Sequence, residues 1–298
     1  MKRLAISFLC IACATTVLGA LDTSTVERVT GLKGSWNEPE RVFKVSWLRT
    51  DVKVIVDGWP MPPFMGLTSW AAFTEAHGGD AMVMGDLVLL QDEVNPVMSA
   101  ALDNSLSVTA LHNHFFYDEP KVYFMHIGGE GSVSNLAAGV RHCFDRVNAI
   151  RAANPAPATR FGHAFPAANS TSVTGLRKIL GATGQATAGM VKFVFGRTTA
   201  MHGIVAGKEM GVNTWAAFAG TDDNALVDGD FAVLEDELQP VLKALRAGGI
   251  NIVAIHQHMT HEMPRVVFLH YWGRGKAQEL ATTVKEALKL CVGSPVKK

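Results

Sequence analysis

Three histidines recur with one spacing at two places in the 298-residue chain. Each copy reads His, one residue, His, eleven residues, His. The residues are His112, His114 and His126 in the first copy and His256, His258 and His270 in the second. Neutral imidazoles bind divalent transition metals, and three histidines with an open fourth position form one known ligand set of catalytic zinc. The pattern therefore predicts a metal site in one or both copies. Zinc is the expected ion, although imidazole also accepts copper, iron or nickel.

Carboxylates near the histidines in both copies are the candidate catalytic residues. They are Asp86, Glu93 and Glu119 in the first copy and Asp230, Glu237 and Glu262 in the second. Such a side chain could orient a metal-bound imidazole or act as a general base. Because a bound metal lowers the pKa of its water toward about 7, metal-dependent hydrolysis is the expected reaction class.

Simpler roles fit the same residues. A histidine on an apolar strand face is commonly a core residue whose nitrogens are hydrogen-bonded. Asp86 and Asp230 follow a glycine in a predicted strand, where a bulge acid can bond its own backbone. Glu93 and Glu237 suit the first turn of a helix. Three functions therefore stay open: a metal-dependent enzyme, a structural or partner-binding protein, and a non-enzymatic protein that uses the histidines as polar anchors for a small molecule or cell-envelope ligand.

Self-similarity at a spacing of about 144 residues extends beyond the histidines and indicates a tandem repeat. Matching segments are Val29-Thr30-Gly31-Leu32 with Val173-Thr174-Gly175-Leu176, Gly85-Asp86 with Gly229-Asp230, and Pro96 with Pro240. Between the copies, residues 151–172 are rich in Ala and Pro and lack an apolar period, which favours a linker. The predicted organisation is a signal peptide at 1–20, a first repeat domain at 21–150, the linker at 151–172 and a second repeat domain at 173–298.

Apolar periodicity predicts the order βββαββα in each copy. The fold class is α+β, with a mostly antiparallel sheet and helices packed on one face. In the first copy we expect strands at Val42–Trp47, Val52–Val56 and Ala81–Leu90. Asp92 is expected to cap the next helix, whose apolar residues fall at i, i+3, i+4 and i+7. The closing helices of the two copies are expected at Asn135–Val147 and Ala277–Val292.

The strand with the first pair of histidines predicts where the imidazoles point. Strand side chains alternate between faces, so one face should hold Leu106, Val108, Ala110, His112 and His114. The histidines would then continue an apolar, inward-looking surface. A five-residue hairpin loop, Tyr117–Lys121, would set His112 opposite His126 and bring all three imidazoles to that face. The second copy repeats the pattern.

Bulk composition limits the compartment and the partners. Lys+Arg and Asp+Glu both number 27, and this balance argues against a nucleic-acid-binding protein. Lys2, Arg3, an apolar run at 4–17 and a small-residue exit are typical of an export signal. The mature chain is therefore expected to be periplasmic or secreted, with no membrane span. Cys13 follows a poor lipidation sequence, so a lipid anchor is not expected. Cys143 and Cys291 would remain, and a disulfide between them is permitted but not required.

Several segments together resemble one known family. In the first copy they are Gly85-Asp86, Asp92-Glu93-Val94-Asn95-Pro96, Ala110-Leu111-His112-Asn113-His114 and Phe124-Met125-His126, and the second copy has Ile255-His256-Gln257-His258 and Phe268-Leu269-His270. With them, residues 29–292 resemble the LppY/LpqO family of exported bacterial proteins, a domain of unknown function. The resemblance implies a cell-envelope or secreted protein and brings no catalytic residues with it. Some members are lipoproteins, and this N-terminus departs from them because it lacks a convincing lipidation site.

Overall fold

The fold is that of a computed structural model, which describes residues 20–160 and 165–291. The first copy contains α1 (Thr23–Thr30), β1 (Gly34–Asn37), β2 (Val42–Leu48), β3 (Ile55–Val56), β4 (Trp59–Pro60), α2 (Pro63–Gly66), β5 (Thr68–Glu75), β6 (Ala81–Leu90), α3 (Gln91–Asp103), β7 (Ser107–His112), β8 (Asp118–Glu119), β9 (Val122–Gly131) and α4 (Val133–Ala153). The second contains α5 (Val173–Leu180), β10 (Gln185–Thr187), β11 (Met190–Gly196), β12 (Thr199–Met201), β13 (Ile204–Ala206), β14 (Asn213–Gly220), β15 (Ala225–Leu234), α6 (Glu235–Ala247), β16 (Asn251–His256), β17 (Glu262–Met263), β18 (Val266–Gly275) and α7 (Ala277–Lys289).

Both copies contribute to one twelve-stranded antiparallel sheet. Its strand order is β1-β2-β5-β6-β9-β7-β16-β18-β15-β14-β11-β10, so β7 and β16 join the copies at the centre. Two smaller sheets, β4-β3-β8 and β13-β12-β17, carry the remaining strands. The predicted α+β class with a mostly antiparallel sheet is therefore confirmed. The domain boundaries at 21–150, 151–172 and 173–298 stay a prediction.

Helices α1, α3, α4, α5, α6 and α7 pack on one face of the large sheet, where the main apolar core lies. In α3 the apolar residues turned to that core are Val94, Val97, Met98, Ala101 and Leu102, which is the predicted stripe. On the strand before it, Ala81 and Val83 are buried while Met82 and Met84 are exposed. This alternation lets one face of β6 meet the helices and the other face meet solvent.

Two predicted elements differ in extent. The strand expected at Val52–Val56 is limited to Ile55–Val56, because this segment pairs with β4 and β8 in a small sheet. The predicted cap at Asp92 is wrong, since α3 begins at Gln91 with Leu90 at its N-cap. The carboxylate of Glu93 accepts the Leu90 N–H at 2.8 Å, and Asp92 pairs with Arg151 instead.

The predicted closing helices are confirmed, with different ends. α4 starts at Val133 because Ser132 Oγ accepts the Asn135 N–H at 3.3 Å, and it continues to Ala153. α7 ends at Lys289, and the predicted end at Val292 lies outside the described residues. The predicted signal peptide at 1–20 also lies outside them, apart from Ala20. Within residues 20–160 and 165–291, no helix is long and apolar enough to cross a membrane.

A β-bulge in each central strand overturns the predicted direction of the histidines. The register of β7 against β9 shifts between Val108 and Ala110, and that of β16 against β18 shifts between Ile252 and Ala254. Because strand side chains alternate between the two faces, an inserted residue moves every side chain beyond it to the opposite face of the sheet. Val108 and Leu111 are therefore both buried against the helices. The expectation that Val108, Ala110 and His112 share one inward face is wrong, because Ala110 and His112 lie on the face away from the helices.

The register of the histidine hairpin also differs from the prediction. Ala110 lies opposite His126, and His112 lies opposite Phe124. The five-residue loop is wrong as well, since β7 ends at His112 and the next residues include β8 before β9 starts at Val122. The observed register of β7 against β9 differs from the predicted one by two residues, and strand side chains return to the same face every two residues. His112 and His126 therefore still share a face.

Side-chain amides hold the two copies together next to the central strand pair. Asn95 on α3 donates to Ile252 O at 3.0 Å and accepts from Ile252 N at 2.7 Å. Gln239 on α6 makes the same two bonds with Val108, both at 2.9 Å. Since β7 and β16 pair at Leu111 and Ile255, the amides supply partners for buried backbone groups where that pairing has ended.

Replacing Asn95 by alanine should destabilise the whole chain. Asn95→Ala leaves the N–H and C=O of Ile252, a buried residue, without partners, at about 1–3 kcal/mol for each group. Equilibrium unfolding in urea should show a lower free energy of unfolding. The control is Asn37→Ala, which removes an exposed bond to the Glu40 N–H and should change stability by less than about 0.5 kcal/mol. Equal losses in both variants would contradict a special role of Asn95 between the copies.

Candidate metal centre

The first histidine cluster lies on the face of the sheet that points away from the helices, called the open face below. Asp86 on β6 stands opposite His126 on β9, with Asp86 Oδ2 3.8 Å from His126 Nε2. His112 Nε2 lies 3.1 Å from His126 Nε2. The His114 ring stacks on Phe124 with centroids 3.4 Å apart, and its centroid is 5.1 Å from that of His112. The structure therefore brings all three predicted histidines and one predicted carboxylate together.

The second cluster is more compact and includes a buried carboxylate. Asp230 on β15 stands opposite His270 on β18. His256 Nε2 and His258 Nε2 are 3.1 Å apart, and Asp230 Oδ2 lies 3.6 Å from His258 Nε2. One ligand atom from each of Asp230, His256 and His258 lies within 4.8 Å of the others. The His270 ring stacks on that of His256 with centroids 4.7 Å apart.

These distances fit a small cation. Two nitrogens bound to one tetrahedral zinc at about 2.0–2.1 Å would be about 3.3 Å apart, close to the observed 3.1 Å between His256 and His258. Without a metal the same distance requires one Nε2–H to donate to the other nitrogen. That hydrogen bond would not satisfy the whole cluster. Asp230 Oδ1 and His256 Nδ1 are also buried, and neither atom has a hydrogen-bond partner. Asp86 Oδ1 is in the same position in the first copy.

Burial sets the protonation of these groups. It raises the pKa of Asp230 to about 6, against the opposing charge of His270. It also raises the pKa of Asp86, against the charge of His126. Burial and then the neighbouring imidazoles lower the pKa of His256 to about 4. Burial likewise lowers the pKa of His258, although a backbone hydrogen bond at Gly211 opposes that shift. His256 is thus neutral at pH 7, the form that binds metals, and a cation would favour the ionised carboxylates.

Aromatic and small apolar elements frame both clusters on the same face. Trp70 stands opposite Asp86, and Trp215 stands opposite Asp230. The ammonium groups of Lys44 and Lys192 lie over these two indoles, at 4.3 and 3.9 Å from the ring centroids. Beyond the first cluster, Phe124 belongs to a small apolar core that joins the open face to the loops around β3 and α2. In the second copy Phe268 forms the corresponding small core, and the His258 ring stacks on it.

The predicted glutamates have other neighbours. Glu93 is fully buried and pairs with Arg49 through both carboxylate oxygens, at 2.7 and 2.8 Å, and with Arg151 at 2.9 Å. Its repeat partner Glu237 pairs with Arg197 at 2.8 Å and accepts the Leu234 N–H at 2.8 Å. These contacts stabilise the start of α3 and of α6.

The two loop glutamates also differ from each other. Glu119 is exposed in β8, opposite Ile55 of β3. Glu262 is buried and accepts the Val266 N–H at 3.2 Å. Asp118 holds the corresponding place in the first copy, since it accepts the Val122 N–H at 2.7 Å. A catalytic role for these glutamates stays a prediction, whereas the structure places Asp86 and Asp230 against imidazoles.

Two repeat-related cavities flank the junction of the copies. The larger, of about 760 Å³, lies beside β16 and includes His270, Trp272, Arg246, Tyr123 and Asn95 in its lining. The smaller, of about 500 Å³, includes His256, Gln239, Thr109 and Val267. Sequence reasoning did not find Arg246, Tyr123 or Trp272 because their relation to the histidines crosses from one copy to the other or to another element.

The two cysteines within the described residues are free. Cys143 and Cys291 are both buried, and no disulfide joins them. Burial raises the pKa of each thiol to about 12. The thiolate is the reactive form, so both cysteines are inert packing residues and contribute nothing to the clusters.

A family model described as Domain of Unknown Function (DUF1259) matches the chain twice, over residues 24–146 and 174–290. The matches cover more than half of the chain and coincide with the two copies of the repeat. They show the family of the chain and its arrangement as two tandem domains. No curated protein and no solved structure matches the chain.

Replacing Glu93 should affect stability and leave any metal content of the purified protein unchanged. Glu93→Gln removes one of the two carboxylates that pair with the buried Arg49 guanidinium, while Asp51 remains, so we expect a loss of about 1–3 kcal/mol. Urea unfolding measures this loss, and elemental analysis of the purified protein measures bound metal. Glu119→Gln, which changes an exposed carboxylate, is the matched control and should unfold like the wild type. Wild-type stability together with lost metal in Glu93→Gln would contradict the structural role.

Proposed function

We propose that the chain, which belongs to the family described as Domain of Unknown Function (DUF1259), binds a divalent transition metal through Asp230, His256 and His258. The observation that carries this proposal is the convergence of one ligand atom from each residue within 4.8 Å. Zinc is the first candidate because two imidazoles and a carboxylate are among its usual ligands. The ligand set alone accepts other first-row metals.

The chain's own residues divide the work at this site. His256 and His258 would present Nε2 atoms to the metal, and Asp230 would balance part of its charge from a buried position. His270 stacks on His256 and stands opposite Asp230, so it can fix the ring plane of His256 or supply a further nitrogen. A metal held in this way supplies Lewis acidity and a water of lowered pKa. Hydrolysis is the reaction class that such chemistry supports best.

The first copy offers a repeat-related but looser site. Its two close imidazole nitrogens belong to His112 and His126, and Asp86 Oδ2 lies 3.8 Å from His126 Nε2, slightly farther than the 3.6 Å between Asp230 Oδ2 and His258 Nε2. Asp86 is also less buried than Asp230, with 13% against 4% of its side chain exposed. We therefore expect weaker metal binding in the first copy. This order of affinities makes the second copy the working site.

Metal content should depend on the second cluster. In mature chain purified without a His-tag, His256→Ala and Asp230→Asn should each weaken zinc binding at least 10-fold, because each removes a proposed ligand. Titration calorimetry with zinc on chelator-treated protein measures the affinity, and elemental analysis measures the bound ion. His112→Ala should lower the stoichiometry without changing the tighter site.

The control for this series is His142→Ala, which removes an exposed imidazole on α4. It should bind zinc like the wild type. Equal losses in His142→Ala and His256→Ala would point to unspecific binding by surface imidazoles. No zinc binding by the wild type would overturn the proposal.

A second candidate function is ligand binding without catalysis. It is favoured by one observation, the cavity of about 760 Å³ that reaches His270, since small-molecule sites are concave and carry few polar groups. The two candidates separate on turnover. Zinc-loaded protein that hydrolyses bis(p-nitrophenyl) phosphate or p-nitrophenyl acetate, with activity lost in His256→Ala, supports the enzyme. A loaded protein that binds ligand without turnover supports the binding protein.

We also propose that the chain is exported to the periplasm or secreted. The support is the basic, apolar and small-residue order of residues 1–20 and the resemblance of both copies to the LppY/LpqO family. The ligand would then be a small molecule or a component of the cell envelope. Expression with the native N-terminus should give a mature chain that lacks about the first 20 residues and carries no lipid. Intact-mass measurement on the exported fraction decides this, and a full-length cytoplasmic chain would contradict it.

A further inference from the structure

A cavity of about 760 Å³ lies where the two copies meet. β7 pairs with β16 at Leu111 and Ile255. Beyond that point the Asn95 side chain forms hydrogen bonds with the N–H and C=O of Ile252. The cavity opens beside this part of β16 and takes up about 760 Å³. That volume falls in the range of about 300–1,000 Å³ that is typical of small-molecule sites.

One wall of the cavity holds a cation with no acidic partner. Arg246 on α6 is half-buried and donates to Ser99 Oγ at 3.1 Å, to Ile250 O at 2.9 Å and to Asn251 Oδ1 at 2.7 Å. All three acceptors are neutral. Within the described residues Arg246 forms no ion pair, and its Nη2 makes no hydrogen bond. Burial lowers the pKa of this guanidinium to about 10, so the group is still charged at pH 7.

Buried guanidinium groups are normally paired with an anion, because an unpaired charge loses its hydration without compensation. The two acids in the lining do not supply that anion. Asp92 is held by Arg151 and accepts the Ala158 N–H, and Asp228 is exposed on the open face. Arg246 therefore has the donor capacity and the charge to bind a carboxylate or phosphate.

Aromatic groups line the same cavity. Trp272 on β18 and Tyr123 on β9 are half-buried and contribute to its lining. Trp272 lies on the open face of the sheet, opposite Asn251, and Asn251 accepts from Arg246. An indole that lines the same cavity as a guanidinium without an acidic partner suits a ligand that carries a ring or flat apolar part next to its anionic group.

The related cavity of the other copy lacks both features. At the shared spacing of the repeat, Leu102 replaces Arg246 and Gly128 replaces Trp272, while His126 still corresponds to His270. Leu102 is buried in the main core. The cation and the indole are therefore specific to one copy, whereas the histidines are common to both. A feature needed for the fold of each repeat would be expected in both cavities.

We propose that this cavity binds a small organic anion, with its carboxylate or phosphate on Arg246 and its ring against Trp272. His270 lines the cavity and stacks on His256, so a ligand held there extends to the edge of the second histidine cluster. Anion binding depends on the cavity alone. The further step, that the bound anion is the substrate of the metal site, rests on the proposed function.

Metal-free protein separates these two steps. Chelator-treated mature chain is titrated separately with benzoate, phenyl phosphate and the neutral analogue benzyl alcohol. Calorimetry and tryptophan fluorescence measure the binding of each compound. We expect benzoate or phenyl phosphate to bind at least 10-fold more tightly than benzyl alcohol, and the tighter of the two identifies the anionic group. Equal affinity for benzyl alcohol would overturn the proposal.

Three variants locate the binding. Arg246→Leu introduces the residue type that the first copy has at the equivalent position, Leu102. It should weaken the binding of benzoate or phenyl phosphate at least 10-fold. Arg246→Lys keeps the charge and should retain part of the affinity, which keeps the test decisive if Arg246→Leu does not fold. Trp272→Leu should weaken both ring-bearing anions and remove the fluorescence change. Anion binding that survives in Trp272→Leu and in both Arg246 variants would overturn the assignment.

The matched control is Arg265→Leu. Arg265 is an exposed cation in the lining of the smaller cavity, and its loss should leave anion affinity unchanged.

Repeating the titration with zinc-loaded protein tests the connection to the metal site. Tighter anion binding with zinc, lost in His256→Ala, supports that connection, and unchanged affinity overturns it. If the protein binds no zinc but still binds benzoate through Arg246, the proposed metal function fails and the anion site stands.

Discussion

The structure depends on a single strand pairing between the two copies. β7 and β16 meet antiparallel at Leu111 and Ile255, and this pairing joins two half-sheets into one. If the register continues, Ala110 faces His256 and His112 faces Ala254 across the junction. His112 and His256 then lie on neighbouring strands as diagonal cross-strand neighbours, roughly 7–8 Å apart. A tandem repeat thereby becomes one platform with both clusters on the same face.

The bulge in each central strand makes this arrangement compatible with a stable core. A strand that alternated regularly would carry its histidines toward the helices together with Val108, and burying ionisable groups there is costly. The inserted residue lets Val108 and Leu111 both pack against the helices while Ala110 and His112 turn away. The backbone groups left without a strand partner near the bulges are bound by Asn95 and Gln239, each from the opposite copy. The device that turns the histidines outward therefore also binds the copies together.

The two copies share a fold and have diverged in chemistry. Both retain three histidines and one aspartate on the open face. In the second copy the aspartate is more buried and one cavity wall carries Arg246 and Trp272, which are Leu102 and Gly128 in the first. One copy can thus keep the site while the other supplies the far wall of the cavity through α3 and Tyr123. A single repeat would lack half of that lining, which gives a physical reason for keeping both copies in one chain.

The sequence by itself determined what depends on local period and on duplication. Alternation in β6, the apolar stripe of α3 and the fixed spacing of the repeat gave the fold class and the pairing of equivalent residues. The six histidines were found from their spacing, and their common face survived a register error because a shift of two residues preserves it. Tertiary structure decided which way that face points, which carboxylates reach the imidazoles and what fills the junction. Glu93 and Asp86 look equally suitable in the sequence, yet a buried arginine engages the first and an imidazole on the next strand faces the second. Such choices depend on partners far apart in the chain, as with Asn95 and Ile252, and only the folded backbone brings those partners together.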